Sequence, residues 1–237
     1  MKLRNLLFTF VLLRFCPTVL AQTYNFRTYS EDQGLPHSYI YCISQNVNGY
    51  LYLSTGEGLS IFDGNKFTTF STREVSGNFV TTHFVDSRNT FWIGYRQNGV
   101  SYLKNGKFNE VKNRSIAEVK VTQIAEDRHQ NLFVSTLGGG IFKIDKAYNL
   151  KTLECTEVLN CNSILFDDEQ NLIAATDRGL FLLNEKNDRL NIVLNVREFE
   201  NKNIKQVIPV YGSKSAFWVL VEGEGVYGIK RTTDGFK

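Results

Sequence analysis

The sequence is poor in the residues from which many enzyme sites are built. It has 237 residues but only three histidines, and it lacks the His-Glu-x-x-His and Gly-x-Ser-x-Gly motifs of metallopeptidases and serine hydrolases. No Cys-x-x-Cys pair and no cysteine–histidine spacing typical of zinc is present. We therefore expect a protein that is not an enzyme and that holds neither a metal nor another cofactor.

Long apolar runs are also scarce. The run Leu6–Leu13 is too short to cross a bilayer as a permanent anchor. It follows basic Lys2 and precedes a small-residue cleavage pattern at Val19–Ala21. This order predicts a cleaved secretory signal over 1–21 and a mature, exported domain over 22–237. An uncleaved anchor or a buried segment is the alternative.

Without the leader, the chain has no excess of positive charge. The full sequence has 27 basic and 24 acidic residues, and the leader carries three basic residues and no acidic one. The mature domain is therefore neutral by formal count. A basic surface for nucleic acid is not indicated, so no nucleic-acid partner is expected.

Cysteines are few as well. Of the four, Cys42, Cys155 and Cys161 follow the predicted leader. An odd number excludes a complete disulfide framework. Cys155 and Cys161 are close enough in sequence to pair in an oxidising compartment, and the alternative is three small, unpaired thiols.

What the sequence does contain is a repeat of about forty residues, with a strand, a glycine turn and a second strand in each copy. The glycines that open the second strand are Gly58, Gly99, Gly140, Gly179 and Gly225. Sustained helical periodicity is absent, whereas β-branched and aromatic residues alternate throughout. This period with this content predicts an all-β fold, a β-propeller of four-stranded antiparallel blades with about five blades present.

Two features leave the blade count open. Residues 24–30 resemble the last strand of the first unit at 66–71, so they are predicted to pair with the fifth unit and close a five-bladed ring. Residues 234–237 resemble the start of another outer strand, which favours a longer array. A complete five-bladed ring and part of a larger propeller both remain possible.

Several motifs have a structural interpretation beside a functional one. Acids recur at the first turn of the units, where we expect them to cap the turn and not to act as catalysts or calcium ligands; they are Asp86, Asp127, Asp167 and Asp168. Gly223–Gly228 matches Gly-x-Gly-x-x-Gly, but strand and turn residues follow it, which predicts a hairpin and no dinucleotide site. Trp92 and Trp218 occupy equivalent positions and are expected to pack between blades. His37 and His83 could face a pocket, and His129 lies in a turn.

The repeat pattern, Asp-x-x-x-Asn as in Asp127–Asn131, followed by a strand such as Leu132–Thr136 and then Gly140-Ile141, resembles the two-component regulator propeller repeat. The opening segment 29–38 resembles the start of that family's first blade. The resemblance spans about 24–230, although Ala174-Ala175 and Val219-Leu220 replace the usual glycine or serine step.

This resemblance implies an N-terminal portion of the periplasmic sensor region of a Bacteroidetes-type hybrid histidine kinase. It implies an oligosaccharide or another periplasmic cue as the ligand, and binding across a homodimer as one arrangement. A histidine kinase module, in cis or in trans, is the implied signalling partner. If the chain is part of a longer sensor kinase, the domain is tethered to the membrane.

The candidate ligand-binding site is the set of loops between the second and third strands, which gather at one end of a propeller. They carry Glu57, Arg96, Gln97, Asn98, Asp177, Arg178, Glu222 and Glu224. These residues differ from unit to unit, as expected of a surface for an asymmetric ligand. The alternative is that solvent-exposed loops vary in sequence without a functional reason. Two further functions remain open: a secreted propeller enzyme of the polysaccharide or lactone-ring lyase type, and a protein-docking propeller.

Overall fold

The computed structural model describes residues 25–70, 75, 77, 79–155, 158–213, 215–232 and 235–237. The predicted signal peptide lies outside these residues. The described chain is all-β: twenty strands form five antiparallel sheets of four, and strands adjacent in the chain are adjacent in each sheet. This confirms the predicted propeller blades, which we number blade 1 to blade 5 along the chain.

The strands have the following bounds. Blade 1 contains β1 (Ile40–Gln45), β2 (Leu51–Thr55), β3 (Gly58–Phe62) and β4 (Phe67–Thr69). Blade 2 contains β5 (Val80–Val85), β6 (Phe91–Tyr95), β7 (Val100–Lys104) and β8 (Lys107–Glu110). Blade 3 contains β9 (Lys120–Glu126), β10 (Leu132–Leu137), β11 (Ile141–Ile144) and β12 (Leu150–Leu153). Blade 4 contains β13 (Cys161–Phe166), β14 (Leu172–Thr176), β15 (Gly179–Lys186) and β16 (Arg189–Asn195). Blade 5 contains β17 (Ile204–Pro209), β18 (Ala216–Val221), β19 (Gly225–Thr232) and β20 (Gly235–Phe236).

The elements that the structure fully describes outside the sheets are a short helix, α1 (Arg114–Ala117), and 3-10 turns at Glu31–Gln33 and Arg197–Phe199. The Gly-x-Gly-x-x-Gly segment forms the turn before β19 and the first residues of that strand. The predicted hairpin is therefore confirmed, and no helix follows in the described chain that could receive a pyrophosphate.

The turn between the first two strands of each blade is held by one polar side chain. In blade 3, Oδ1 of Asp127 accepts hydrogen bonds from the backbone N–H groups of His129 and Asn131, both at 2.8 Å. The equivalent acceptors in the five blades are Asn46, Asp86, Asp127, Asp167 and Ser213. The predicted turn role of these acids is confirmed, with one correction. In blade 4 the cap is Asp167, because its carboxylate accepts a hydrogen bond from the backbone N–H of Asn171, four residues later. Asp168 is exposed.

Replacing Asp127 with alanine should lower the free energy of unfolding by about 1–2 kcal/mol, because two backbone N–H groups and the Asn131 amide lose their acceptor. Asp168→Ala is the matched control in the equivalent turn of blade 4 and should change stability by less than about 0.5 kcal/mol. Urea unfolding followed by circular dichroism measures both. Equal losses would show that side-chain capping does not hold these turns.

Consecutive blades are joined by separate apolar cores, one at each of the four interfaces. Trp92 lies fully buried between blades 2 and 3, with ring centroids 5.1 Å from Tyr102 and 5.8 Å from Tyr148. Its indole Nε1 donates a hydrogen bond to Oδ2 of Asp86 at 3.0 Å. The predicted inter-blade role of Trp92 is therefore confirmed.

A small residue in the second strand of blades 1 to 4 allows the next blade to approach closely. A Cβ atom built on Gly94 would lie 2.5 Å from Cγ1 of Val121 in blade 3, which no real Cβ tolerates. The strand registers place Ser54, Gly94, Ser135, Ala175 and Leu220 at the equivalent position. The first four are buried, whereas Leu220 is 38% exposed. A further blade could not pack on Leu220 as closely as blade 3 packs on Gly94 unless that leucine moved.

Blade 5 leaves one apolar face uncovered. Phe217, Val219 and Val221 point toward blade 4 and are buried, whereas Trp218 on the opposite face is 45% exposed and Val226 is 63% exposed. The prediction that Trp218 packs between blades is therefore not met within the described residues. The reason is that no described blade covers this face, although its strand position matches that of Trp92.

The segment before blade 1 covers that blade by side-chain packing. Residues 25–30 form no strand, so the predicted outermost strand at 24–30 is not seen in its described part. The ring of Tyr29 lies 4.9 Å from Phe62 and 5.7 Å from Phe67, and Leu35 is buried in the same cluster. Burial of these apolar side chains thus places the segment against blade 1 instead of beside blade 5.

Candidate functional site

The innermost strands of all five blades line a common cavity of about 720 Å³. Each inner strand begins beside the end of the second strand of its blade, so the loops between second and third strands surround one end of this cavity. We call this end the mouth. Polar residues line much of the cavity, including Thr82, His83, Gln123, Asn162, Ser163 and Gln206. The propeller therefore provides a polar, concave surface at its axis.

His83 is part of the cavity wall, and both of its ring nitrogens are held by blade 1. Nε2 lies 2.6 Å from Oγ of Ser44, and Nδ1 lies 2.7 Å from Oγ of Ser54. In a neutral ring, one hydroxyl donates to the imidazole and the other accepts from it. Burial lowers the pKa of His83 from 6.5 to about 4, so the ring is neutral at ordinary pH.

The predicted pocket position of His83 is thus correct, and His37 lies elsewhere. Nδ1 of His37 accepts a hydrogen bond from the backbone N–H of Tyr39 at 2.9 Å, and its ring lies against Gly56 in the first loop. His129 is exposed in its turn, as expected. The three histidines therefore do not form one site.

At the mouth, two cations lie against two aromatic rings. We call Tyr41, Phe79, Arg96 and Lys120 the mouth cluster. The guanidinium carbon of Arg96 lies 5.0 Å from the centre of the Phe79 ring, which is itself 5.1 Å from the Tyr41 ring. Nζ of Lys120 lies 5.4 Å from the centre of the Tyr41 ring. Tyr41 and Arg96 are exposed, and Phe79 and Lys120 are half-buried.

Cation–aromatic contact explains how these side chains stay in place, since an aromatic face attracts a positive charge. A backbone hydrogen bond also holds Arg96 beside Phe79, because the N–H of Arg96 donates to the carbonyl of Phe79 at 3.0 Å. Burial lowers the pKa of Lys120, and the nearby charge of Arg96 lowers it further. The mouth cluster is therefore a region of concentrated positive charge.

Several of the eight predicted residues are engaged in local pairs. Glu222 accepts from Asn203 at 2.7 Å and pairs with Lys205 at 2.8 Å, and these contacts lower its pKa. Glu224 pairs with Lys202 at 2.6 Å and accepts from the Tyr227 hydroxyl, which lowers its pKa as well.

In blade 4, Asp177 accepts a hydrogen bond from the side-chain amide of Asn160 at 2.7 Å. Arg178 is exposed, and its backbone carbonyl accepts from the N–H of Asn201. In the remaining loops, Glu57, Gln97 and Asn98 lie at the surface. Of the eight, Arg96 belongs to the mouth cluster through its contact with the Phe79 ring, and Glu222 is paired with Lys205, which lines the mouth. Ligand binding by any of the eight residues stays a prediction.

Sequence reasoning missed three members of the mouth cluster, Tyr41, Phe79 and Lys120. The signal that could have found them is position: the first residues of the inner strands lie beside the loops that were selected. The second residues of β1, β13 and β17 are Tyr41, Asn162 and Lys205, and all three line the mouth. A search limited to loops passes over these strand residues.

Two chemical possibilities raised by the sequence can be checked against the described residues. None of Cys42, Cys155 and Cys161 takes part in a disulfide, so the predicted pairing of Cys155 with Cys161 is wrong, and of these three Cys161 alone is fully buried. Within the described ranges, no group of three histidine, cysteine or acidic side chains is placed to hold a metal. None of the helices in that part of the chain is long and apolar enough to cross a membrane.

No protein-family model and no curated protein matches this sequence. Among solved structures, the fold is similar to a chain described as the extracellular domain of a hybrid two-component system from B. thetaiotaomicron. The TM-score is 0.67 at 20% identity, over 82% of this chain and 27% of that one. A second such extracellular domain from the same organism has a TM-score of 0.54 at 17% identity, over 89% of this chain and 36% of that one.

A streptogramin B lyase is similar to the same degree, with a TM-score of 0.67 at 15% identity, over 86% of this chain and 69% of the lyase. At these identities the likenesses show the fold alone. The chain is therefore a β-propeller with the blade architecture of two-component sensor domains and of propeller lyases. It spans 27% of the length of the first sensor domain.

Proposed function

We propose that this chain is the ligand-sensing, extracytoplasmic propeller of a bacterial two-component system, working with a histidine kinase module in cis or in trans. The observation that carries the proposal is the mouth of the cavity. Exposed aromatic and charged side chains converge there from several blades, as in sites that bind a small polar ligand. A periplasmic oligosaccharide suits this surface, because it offers both hydroxyl groups and apolar ring faces.

The likeness to extracellular domains of two-component systems supports the proposal. Because this chain spans only 27% of one such domain, the proposed sensor contains further blades or domains beyond it. The uncovered face around Trp218 and Val226 supports the same view, since apolar surface of this kind is normally buried by a neighbour. A homodimer is a further part of the proposal.

The first test is the size and location of the native polypeptide. An antibody raised against residues 25–237 should detect a membrane-bound species much larger than 27.1 kDa in fractionated cells. A soluble periplasmic species near that mass would contradict the arrangement in cis. In that case, co-purification of a histidine kinase would be required to keep the sensor proposal.

The second test is the signalling response of the host. An in-frame deletion of residues 25–237 should abolish the transcriptional response to one glycan in a panel of host-accessible glycans, with the remaining polypeptide still present in the membrane. Responses identical to those of the parent strain would contradict a sensing role. They would favour the lyase or protein-docking alternatives, which turnover assays and pull-down experiments distinguish.

A further inference from the structure

The mouth cluster carries two positive charges that the described chain does not neutralise. Among the described residues, neither Arg96 nor Lys120 forms an ion pair or a side-chain hydrogen bond, and their contacts are with the rings of Phe79 and Tyr41. Several other cations of the blades have an acidic partner, for example Lys143 with Glu185 at 2.7 Å. Two cations placed together without an acid are electrostatically unfavourable unless an anion joins them.

The surroundings show which groups at the mouth remain available. Lys205 also lines it, but its charge is matched by Glu222 at 2.8 Å. The side-chain amide of Asn162 donates to the carbonyl of Ile204 at 2.8 Å. The unmatched charge is therefore concentrated on the side of blades 1 to 3, where the mouth cluster lies.

We propose that the mouth cluster binds an acidic sugar, with its carboxylate or sulfate group between Arg96 and Lys120 and its ring on Tyr41. This proposal rests on the proposed function for the choice of a saccharide, whereas the requirement for an anion rests on the two cations themselves. The planar guanidinium of Arg96 can donate two parallel hydrogen bonds to either anionic group. The C–H face of the sugar ring buries apolar surface against the exposed tyrosine.

Half-burial of Lys120 supports the same conclusion. Its ammonium group is partly desolvated, and the charge of Arg96 lies nearby; both effects lower its pKa. A bound anion would supply the opposite charge that the described residues around Arg96 and Lys120 do not provide. Binding should therefore weaken as the salt concentration rises.

The test is calorimetric titration of the full-length native polypeptide with matched ligands. An oligogalacturonate and its methyl-esterified form differ in charge but keep the same sugar backbone; a sulfated galactan oligosaccharide and its desulfated form are the second pair. We expect the charged member of at least one pair to bind, and its neutral partner to bind at least about tenfold more weakly, the equivalent of one lost charge-assisted hydrogen bond. The pair that shows the difference identifies the anionic group.

The variants Arg96→Gln and Lys120→Gln should each weaken binding of the charged sugar by about tenfold or more. Lys104→Gln is the matched control, because Nζ of Lys104 also lies over an aromatic ring, 5.7 Å from the centre of Tyr148, but outside the mouth. Its affinity should equal that of the parent. Circular dichroism and melting temperature confirm that each variant is folded.

Equal affinity for charged and neutral partners would overturn the proposal, as would full affinity in the Arg96→Gln, Lys120→Gln double variant. The absence of binding by both charged sugars at millimolar concentration would also overturn it. None of these binding measurements depends on a kinase. The sensor proposal can therefore fail in the deletion experiment while the acidic-sugar proposal holds, and the acidic-sugar proposal can fail in the titration while the sensor proposal holds.

Discussion

Replacing Trp92 with alanine is expected to destabilise the protein by about 3–5 kcal/mol. The side chain is fully buried between blades 2 and 3, so its removal leaves a cavity that the surrounding strands cannot fill. The change also removes the indole donor from the buried carboxylate of Asp86. Urea unfolding followed by circular dichroism measures the loss.

Trp218→Ala is the matched control, since Trp218 occupies the equivalent strand position in blade 5 but is 45% exposed. In the chain as described, its replacement should cost less than about 1 kcal/mol. A loss below that value for Trp92→Ala would contradict the inter-blade role of Trp92. A loss for Trp218→Ala close to that of Trp92→Ala in the native polypeptide would show that another element covers the open face.

The second large effect is a loss of stability in acid caused by His83. Burial holds its pKa at about 4, compared with 6.5 for an imidazole in water. As the pH falls from 6.5 toward 4, the unfolded chain binds a proton that the folded chain does not. The contribution of His83 is therefore complete above pH 6.5 and declines by about 3 kcal/mol between these two values.

The measurement is the free energy of unfolding in urea across this pH range for the parent and for His83→Gln, which cannot titrate. The parent should lose about 3 kcal/mol more than the variant between the two pH values. His129→Gln is the control, because His129 is exposed and its removal should leave the parental slope unchanged. Parallel curves for the parent and His83→Gln would contradict the lowered pKa.

The candidate site was only partly accessible to sequence reasoning. The loops between second and third strands were correctly placed at one end of the blades, and Arg96 was among the residues selected. Tyr41, Phe79 and Lys120 were missed because they are separated from Arg96 by up to 55 positions in the chain, and only the stacking of three blades brings them together. Asp177, Glu222 and Glu224 were selected as candidate ligand contacts, and the sequence did not show that each has a partner on a neighbouring strand or turn.

The sequence by itself determined the blade. Alternating apolar residues define its strands, positive-φ glycines and side-chain caps define its turns, and both depend on contacts between residues near one another in the chain. Such local rules recur in every unit, which is why the fold class, the four strands per blade and the turn role of the acids were all predictable.

Only the tertiary structure decided how the blades meet. It buries Trp92 and leaves its counterpart Trp218 exposed, places the segment before blade 1 against Phe62 and Phe67, and joins two cations across the mouth. These outcomes depend on which face of a blade has a neighbour. The same strand pattern is compatible with a covered face and with an uncovered one. Packing between blades is a contact between distant residues, so the strand pattern alone does not show which blade faces are covered.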